Sequence, residues 1–508
     1  MPAALPTLLF AALFLVALLP VLITPIPAMV DYPNHLARMF ILARDGTPAA
    51  HPFYQVAWAV HPNLAVDLIV PQLARIVGVE PATRLFLLAA QILTVTGACA
   101  IEFAVKRRLQ VSGFVALMAL YSIPFAWGFL NFQFALGLAL WGIAGSIVLQ
   151  DRAWTARAAV HTVFVAMLFG AHLFALGIYG FVLGVHELWR AWSRSSPMRD
   201  IASRFLALAL PALIAFGFMA TNGGSVERDA MLWAPEWKIV LLFTTLNGYC
   251  LPLAFAGTGI FLGIVYLLAK RGALHAMQSG LWHAIGLTFL FVIFPVRFLF
   301  DTSFVDLRIT VAALLIVPAF VVVSPPSRTW ARLAGALIVA VTLLNIGSAL
   351  AVSATYKREY QALIDSLGQV KKGARILAGH SGDGTDPPIH DLADYPIYHA
   401  VTLAVAYADA FVPTLFTGVG KQPIVVKPAH RHLAAPDGGI IATRLLRKIA
   451  QGMPVEGAPP YARAWTKEFD YLYVVGRPVP NPLPDVLTPL AAASRFTLYR
   501  IEKPAKAD

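Results

Sequence analysis

Apolar runs of lipid-spanning length follow one another through the first 353 of 508 residues, and that pattern leaves the chain few folds. Hydrocarbon about 30 Å thick needs roughly 20 apolar residues per helical crossing. Inside it, each segment must satisfy its own backbone hydrogen bonds. Runs of this kind lie near 7–24, 83–104, 112–130, 133–149, 158–171, 173–189, 204–221, 252–269, 282–300, 306–323 and 333–353. Eleven spans are therefore expected, with 158–189 readable either as two short helices or as one long tilted one. Composition agrees, since 58% of the residues are hydrophobic and 13% charged, against roughly 25% charged in a soluble domain. The expected fold class is an α-helical polytopic membrane protein, with about 11 transmembrane helices and a small C-terminal α/β extracytoplasmic domain.

Basic residues give the orientation. With the N-terminus inside, the inner loops hold Lys106, Arg107 and Arg108, then Arg152 and Arg157, then Arg190, Arg194, Arg199 and Arg204. Lys270 with Arg271, and Arg328 with Arg332, complete the series, so every inner loop carries at least two. Merging 158–189 into one span would put 190–204 outside and break the pattern. The net charge of +12 therefore reads as topology with some contact to anionic lipid, not as nucleic-acid binding. Residues 7–24 have no Lys or Arg before them and no small-residue cleavage site, so they read as a retained span rather than a removed signal peptide. Cys99 and Cys250 imply no disulfide framework and no CxxC motif.

Three outer segments follow from this topology. The first loop, 31–82, has helix-like stretches at Asn34 to Ala43 and Leu64 to Val77. Residues 222–251 carry Trp233 and Trp237, suited to a helix at headgroup depth. Residues 354–508 have the length of a domain, so the expected division is 1–353 in the membrane and 354–508 outside. That last part opens on a helix around Tyr356–Lys371. ARILA (374–378), QPIVV (422–426), FDYLYVVG (469–476) and SRFTLYRI (494–501) read as its strands, and 398–417 as a helix and its exit.

Polar groups near lipid are costly, so their positions carry information. On the outer side they are Asp31, Asn34, His35 and Arg38 just after the first span, and Asp67 later in that loop. Asn131 and Gln133 occupy the turn of WGFLNFQFALG, and His172 that of FGAHLFALG. Arg297, Asp301, Asp306 and Arg308 lie in PVRFLFDTSFVDLR. The inner loops offer no comparable mixture of acid, amide and imidazole. Each candidate also has a plain structural role open to it. Asp31 can end a span or start a helix beside Pro33, and Asn131 and Gln133 can build a turn. His172 can be a packing residue, and Asp306 with Arg308 an interfacial ion pair. His380, Asp383, Asp386, His390 and Asp391 resemble a metal cluster in composition only, and a polar Gly/Pro loop accounts for them better. No Walker loop, nucleophile elbow, HExxH or dinucleotide fingerprint occurs in a supporting context.

The acid just after the first span in VDYPNHLAR, the helical first outer loop, the paired short spans with polar outer turns and the outer domain after the last span resemble the GT-C superfamily of polytopic glycosyltransferases. That group includes oligosaccharyltransferases, protein O-mannosyltransferases and aminoarabinose transferases. The resemblance covers nearly the whole chain as architecture and residues 31–38 as motif. Tyr32 stands where two of those families place a second acid, and no WWD motif is present, so a divergent bacterial member is implied. The resemblance implies a polyprenyl-phosphate sugar donor, a glycan or lipid acceptor of the cell envelope, and a place in the bacterial inner membrane with the C-terminal domain periplasmic. It implies Asp31 as general base, with Arg297, Arg308 and His35, in that order, as candidates to stabilise the departing phosphate. A divalent metal is left open, because Asp31 and Asp67 form no clear ligand set. A transporter or flippase of a lipid-linked precursor, an O-antigen ligase or polymerase, and a non-catalytic scaffold are the alternatives. The first of these is disfavoured by the missing internal repeat and by polar groups gathered at one face.

Overall fold

The computed structural model of the protein describes residues 4–59, 62–222, 231–298, 302–382, 391–418 and 420–503. Among them, six helices are long and apolar enough to cross a membrane: Val79–Lys106, Leu130–Val148, Trp154–Ala171, Met198–Gly217, Leu251–Lys270 and Arg328–Gln369. Other expected spans correspond to Ala4–Leu22, Leu173–Ser193 and the shorter Gln278–Ile293. The stretch 158–189 is two helices, broken at His172, whose backbone is extended and whose ring accepts the Phe174 N–H.

Two expected spans are not continuous helices. Residues 112–130 split into Ser112–Ala119 and Ile123–Trp127, the second ending at Gly128 with φ +93°. Residues 306–323 are helical over Val305–Ile316 and then pass through a 3-10 turn into the strand Val321–Val323. That strand pairs with Leu274–Ala276. Backbone of this kind is tolerated near lipid only where other protein covers it.

Helices Val79–Lys106 and Leu130–Val148 pack through small residues. A Cβ on Gly97 would come within 2.7 Å of Leu140 Cβ, and one on Gly137 within 2.7 Å of Leu93 Cβ. With lipid on the outside, such close backbone approach is a main source of helix association.

The last long helix, Arg328–Ser366, has 39 residues. At 1.5 Å per residue it extends about 58 Å, roughly twice the hydrocarbon thickness. The expected boundary at 353/354 therefore falls inside a helix. Beyond that point Tyr356, Tyr360 and Leu363 are buried, and Ser366 Oγ lies 2.6 Å from Tyr473 Oη of the C-terminal sheet. This sheet has five strands in the order Leu487–Ala492, Phe496–Ile501, Tyr471–Val475, Ile376–His380, Ile441–Ala442. Its first two junctions are antiparallel and the last two parallel. The two strands at its centre, Tyr471–Val475 and Ile376–His380, are buried throughout, as continuous apolar runs require. The edge strand Leu487–Ala492 was not expected. It carries Pro489 beside a bulge, an arrangement confined to sheet edges because proline donates no ladder bond. Only Leu403–Tyr407 of 398–417 is α-helical.

The strand in QPIVV belongs elsewhere. Ile424–Val426 pairs antiparallel with Tyr54–Val56 of the first loop, which the sequence did not mark as a strand. Tyr54 Oη then donates to the Val412 carbonyl at 2.8 Å and accepts the Val412 N–H at 3.0 Å. Lys427 Nζ reaches the His51 carbonyl at 3.0 Å, Arg44 pairs with Asp409 at 2.8 Å, and Tyr407 hydroxyl donates to Glu80. Buried backbone left without its partner costs about 1–3 kcal/mol. Replacing Tyr54→Phe leaves the buried Val412 N–H without a partner, while the carbonyl keeps the Leu415 N–H at 3.3 Å, so a loss of about 1–3 kcal/mol is expected. It should appear as a lower Tm in detergent and faster proteolysis near residues 412–426. An unchanged Tm would mean that loop and C-terminal segment are held by other contacts.

Candidate active site

The first helix ends at Leu22, and the chain turns to reach the loop helix Tyr32–Ala43. Asp31 occupies the N-cap position of that helix, yet its carboxylate makes no capping hydrogen bond. The simple role of a helix starter is therefore not the one it has. Its backbone is fixed instead by the broken span: Val30 N–H donates to the Ala126 carbonyl and Asp31 N–H to that of Trp127, both at 2.9 Å. Gly128 closes this contact. Its left-handed backbone suits glycine, and a Cβ there would lie 3.2 Å from Asp31 Cβ.

The Asp31 side chain is 16% exposed and makes no hydrogen bond among the described residues. The nearest imidazole is His399, from the C-terminal segment, with Nε2 at 3.7 Å from Oδ1. Burial raises the Asp31 carboxyl to about 7, against the opposing pull of Arg308 and Arg38. Burial lowers His399 to about 4, so its ring is neutral near pH 7. Its Nδ1 is buried without a hydrogen-bond partner among the described residues, and its ring packs edge-on against Phe416.

Beneath Asp31 runs a chain of polar contacts. Arg38 Nε meets Asp67 Oδ1 at 2.6 Å, with both side chains almost wholly buried. Arg38 Nη2 donates to His35 Nδ1 at 3.1 Å, and the His35 ring also hydrogen-bonds the Gly128 carbonyl. One ring nitrogen accepts and the other donates, which is the neutral tautomer. Burial and Arg38 both hold His35 well below the ordinary histidine range. It supplies no charge for a phosphate, and its role here is to tie Arg38 to the Gly128 turn.

Arg308 lies on Val305–Ile316. Its guanidinium sits 4.1 Å from the Phe129 ring centroid and 4.8 Å from that of Phe132, with Nη1 3.1 Å from His172 Nε2. It acts electrostatically on Asp31. Asp306, two residues earlier, faces Lys238 at 3.6 Å, so it is not the partner of Arg308. Lys238 also donates to the carbonyls of Phe291 and Phe294, which makes this pair a brace between helices.

The other expected residues hold the frame. Asn34 donates to the Thr414 carbonyl at 3.3 Å and accepts the Phe416 N–H at 2.8 Å, fixing the segment that carries His399 and Phe416 to the first loop. Asn131 accepts the Val66 N–H at 2.8 Å and donates to the Asn63 carbonyl at 2.6 Å, so it starts the helix Ala65–Val77 that presents Asp67. Gln133 Nε2 donates to the Pro124 carbonyl across the Gly128 turn. Arg297 is exposed, on the short strand Arg297–Phe298, and is not among the charges acting on Asp31. Asp301, Asp383, Asp386 and His390 lie outside the described residues. Among the described residues, no three His, Cys, Asp or Glu side chains cluster as a metal site. The sequence reading missed His399, a lone histidine 368 positions from Asp31, and Gly128, whose place after Trp127 in a polar turn was a usable signal for a left-handed residue.

No family model and no curated protein matches the chain by sequence. Among solved structures, that of ArnT from Cupriavidus metallidurans bound to undecaprenyl phosphate is similar over 98% of both chains, with a TM-score of 0.53 and 12% identity. Likeness at that identity speaks to architecture. The chain shares the fold of that structure.

Proposed function

We propose that the chain is an integral membrane glycosyltransferase that moves a sugar from a polyprenyl-phosphate donor to a cell-envelope acceptor. The observation that carries this reading is a carboxylate with no hydrogen bond of its own among the described residues, Asp31, under the electrostatic pull of the buried cation Arg308, in the fold of a structure that holds undecaprenyl phosphate. The orientation follows from charge. Asp31, Arg308 and His172 gather at one end of the helices, while Arg157, Arg190 and Arg194 gather at the other. The positive-inside rule then supports a reaction at the outer face, with 354–508 periplasmic.

In this reading the donor's tail stays in lipid and its phosphate reaches the level of Arg308. The acceptor hydroxyl attacks the anomeric carbon as the bond from that carbon to the phosphate oxygen breaks. The hydroxyl proton goes to Asp31, and the electron pair of the broken bond leaves with polyprenyl phosphate. Direct displacement inverts the anomeric centre. The leaving phosphate gains one negative charge, so a fixed guanidinium in a water-poor site favours the transition state over the ground state. The Phe129 and Phe132 rings and His172 hold Arg308 in one orientation, so little reorganisation is needed as charge develops. A carboxyl near 7 suits a base at neutral pH, because proton transfer is most effective when pKa and working pH are close.

Asp31→Asn is expected to insert and to unfold at a Tm no lower than the parent, while transfer falls by about 10²–10⁴. Full transfer by this variant would remove Asp31 from the chemistry. The working form of Asp31 is charged, so kcat/KM should rise with pH through a limb near 7 and level off above it. Arg308→Gln is expected to lower kcat by about 10²–10³, with Arg308→Lys recovering only part because a lysine offers a point charge without the guanidinium fork.

His399 supports the reading as a positioning residue, with Nε2 at 3.7 Å from Asp31 Oδ1 and its ring seated against Phe416. The charges that act on Asp31 are Arg308 from Val305–Ile316 and Arg38 from the loop helix. His399→Phe replaces the polar ring nearest Asp31 with an apolar one and so deepens the desolvation that already raises the carboxyl, so the limb should move to higher pH and kcat should fall, with KM little changed. His399→Gln keeps a polar group near the Nε2 position and should recover most of the rate. Equal pH profiles for both variants and the parent would leave His399 a packing residue.

A further inference from the structure

A second polar cluster lies at the far end of the helices from Asp31. Helix Trp154–Ala171 meets His172 at one end and carries Arg157 in its first turn. At 1.5 Å per residue these two positions are about 22 Å apart along its axis. Around Arg157 four arginines face two carboxylates. Arg157 Nη2 is 2.6 Å from Glu187 Oε1, and Arg190 Nη1 lies 3.0 and 3.2 Å from the two Glu187 oxygens. Arg190 Nη2 and Arg194 Nη1 share one Asp151 oxygen, each at 2.9 Å. Arg204 Nη1 stops 3.7 Å from Glu187 Oε2, outside hydrogen-bond range.

The cluster is short of acceptors. Arg190 Nε and Arg204 Nη1 are both buried with no hydrogen-bond partner among the described residues. Of the four positive charges in the cluster, two have no carboxylate to answer them. A cavity at this place is lined by Ser146, Arg157, His161, His186, Glu187 and Leu208, contributed by four different helices. Its surroundings are those of a membrane boundary. Trp192 is 73% exposed with Trp282 beside it, and Leu206, Leu210 and Leu213 leave an apolar face of Met198–Asn222 uncovered.

We infer that this cluster is a binding site for the phosphate of an anionic glycerophospholipid. The phosphodiester would take the acceptor place that Glu187 leaves unfilled for Arg204 and Arg190. The acyl chains would lie along the uncovered face of Met198–Asn222. Guanidinium forks match phosphate oxygens in geometry and charge. Basic pockets between helices at the cytoplasmic boundary are where anionic headgroups are held. A zwitterionic headgroup brings its own cation into a place with an excess of positive charge, so it should compete poorly. Inorganic phosphate shares the anion chemistry but gains nothing from the apolar flank.

The test uses the full chain purified in neutral detergent, read by native mass spectrometry and by thermal unfolding. Phosphatidylglycerol or cardiolipin should give persistent adducts and raise Tm, whereas phosphatidylcholine and millimolar inorganic phosphate should do neither. Arg204→Gln disturbs no hydrogen bond among the described residues and is expected to keep the parent fold, while weakening phosphatidylglycerol binding about tenfold, the loss expected for one charge-assisted bond. Glu187→Gln removes the competing carboxylate and should bind the anionic lipid more tightly, provided its Tm shows that it folds. Equal retention of phosphatidylglycerol and phosphatidylcholine, or parent affinity in Arg204→Gln, overturns the site. Stabilisation by inorganic phosphate equal to that by phosphatidylglycerol overturns the assignment to lipid.

Discussion

The ion pair of Arg38 with Asp67 is the constraint on which the rest of the site depends. Both side chains are almost completely out of water, on the two helices of the first loop. A charge so placed is tolerated only with its partner present, because removing one member leaves the other buried and unanswered. The two loop helices are thereby locked to each other. Through His35 the lock extends to the Gly128 carbonyl, and Gly128 in turn lies against Asp31. The geometry of the candidate carboxylate is thus inherited from a buried pair that takes no direct part in the chemistry proposed for it.

The same loop is fixed from the opposite side by the C-terminal segment. The strand pairing of Tyr54–Val56 with Ile424–Val426, the two bonds of Asn34 and the two of Tyr54 are all backbone-directed and mostly buried. They bring His399 and Phe416 to Asp31. Three parts of the chain therefore meet in one place: the exit of the first helix, the Gly128 turn that ends a broken span, and a segment near residue 400. Breaks in helices at Gly128 and His172 are what allow it, since a continuous helix would carry those residues past the site instead of presenting backbone and ring to it.

Charge is divided along the helices in a way that suits a lipid-dependent reaction. At one end the candidate carboxylate Asp31 and the buried Arg308 act on each other electrostatically. At the other, the arginines around Glu187 and Asp151 exceed their carboxylates and leave donors without acceptors. The first arrangement suits the reaction proposed above. The second favours standing contact with an anionic surface.

The sequence by itself determined the class of fold and the neighbourhood of the site. Length and spacing of apolar runs dictate helices wherever lipid is the solvent, because no other structure satisfies the backbone there. The rarity of polar residues near those runs made Asp31, Arg38, Asp67, His172 and Arg308 visible as a group. Their individual partners were not legible. Asp306 and Arg308 are close in sequence, yet one faces Lys238 and the other His172 and two phenylalanines. QPIVV has the composition of a strand, but composition does not say which strand it pairs with, and its partner is 370 positions away. Asn34 and Asn131 drew attention as polar groups and turned out to hold backbone in place. What only the tertiary structure decided is which buried donor meets which acceptor, since that depends on packing between segments far apart in the chain. His399 reaches Asp31 for that reason alone.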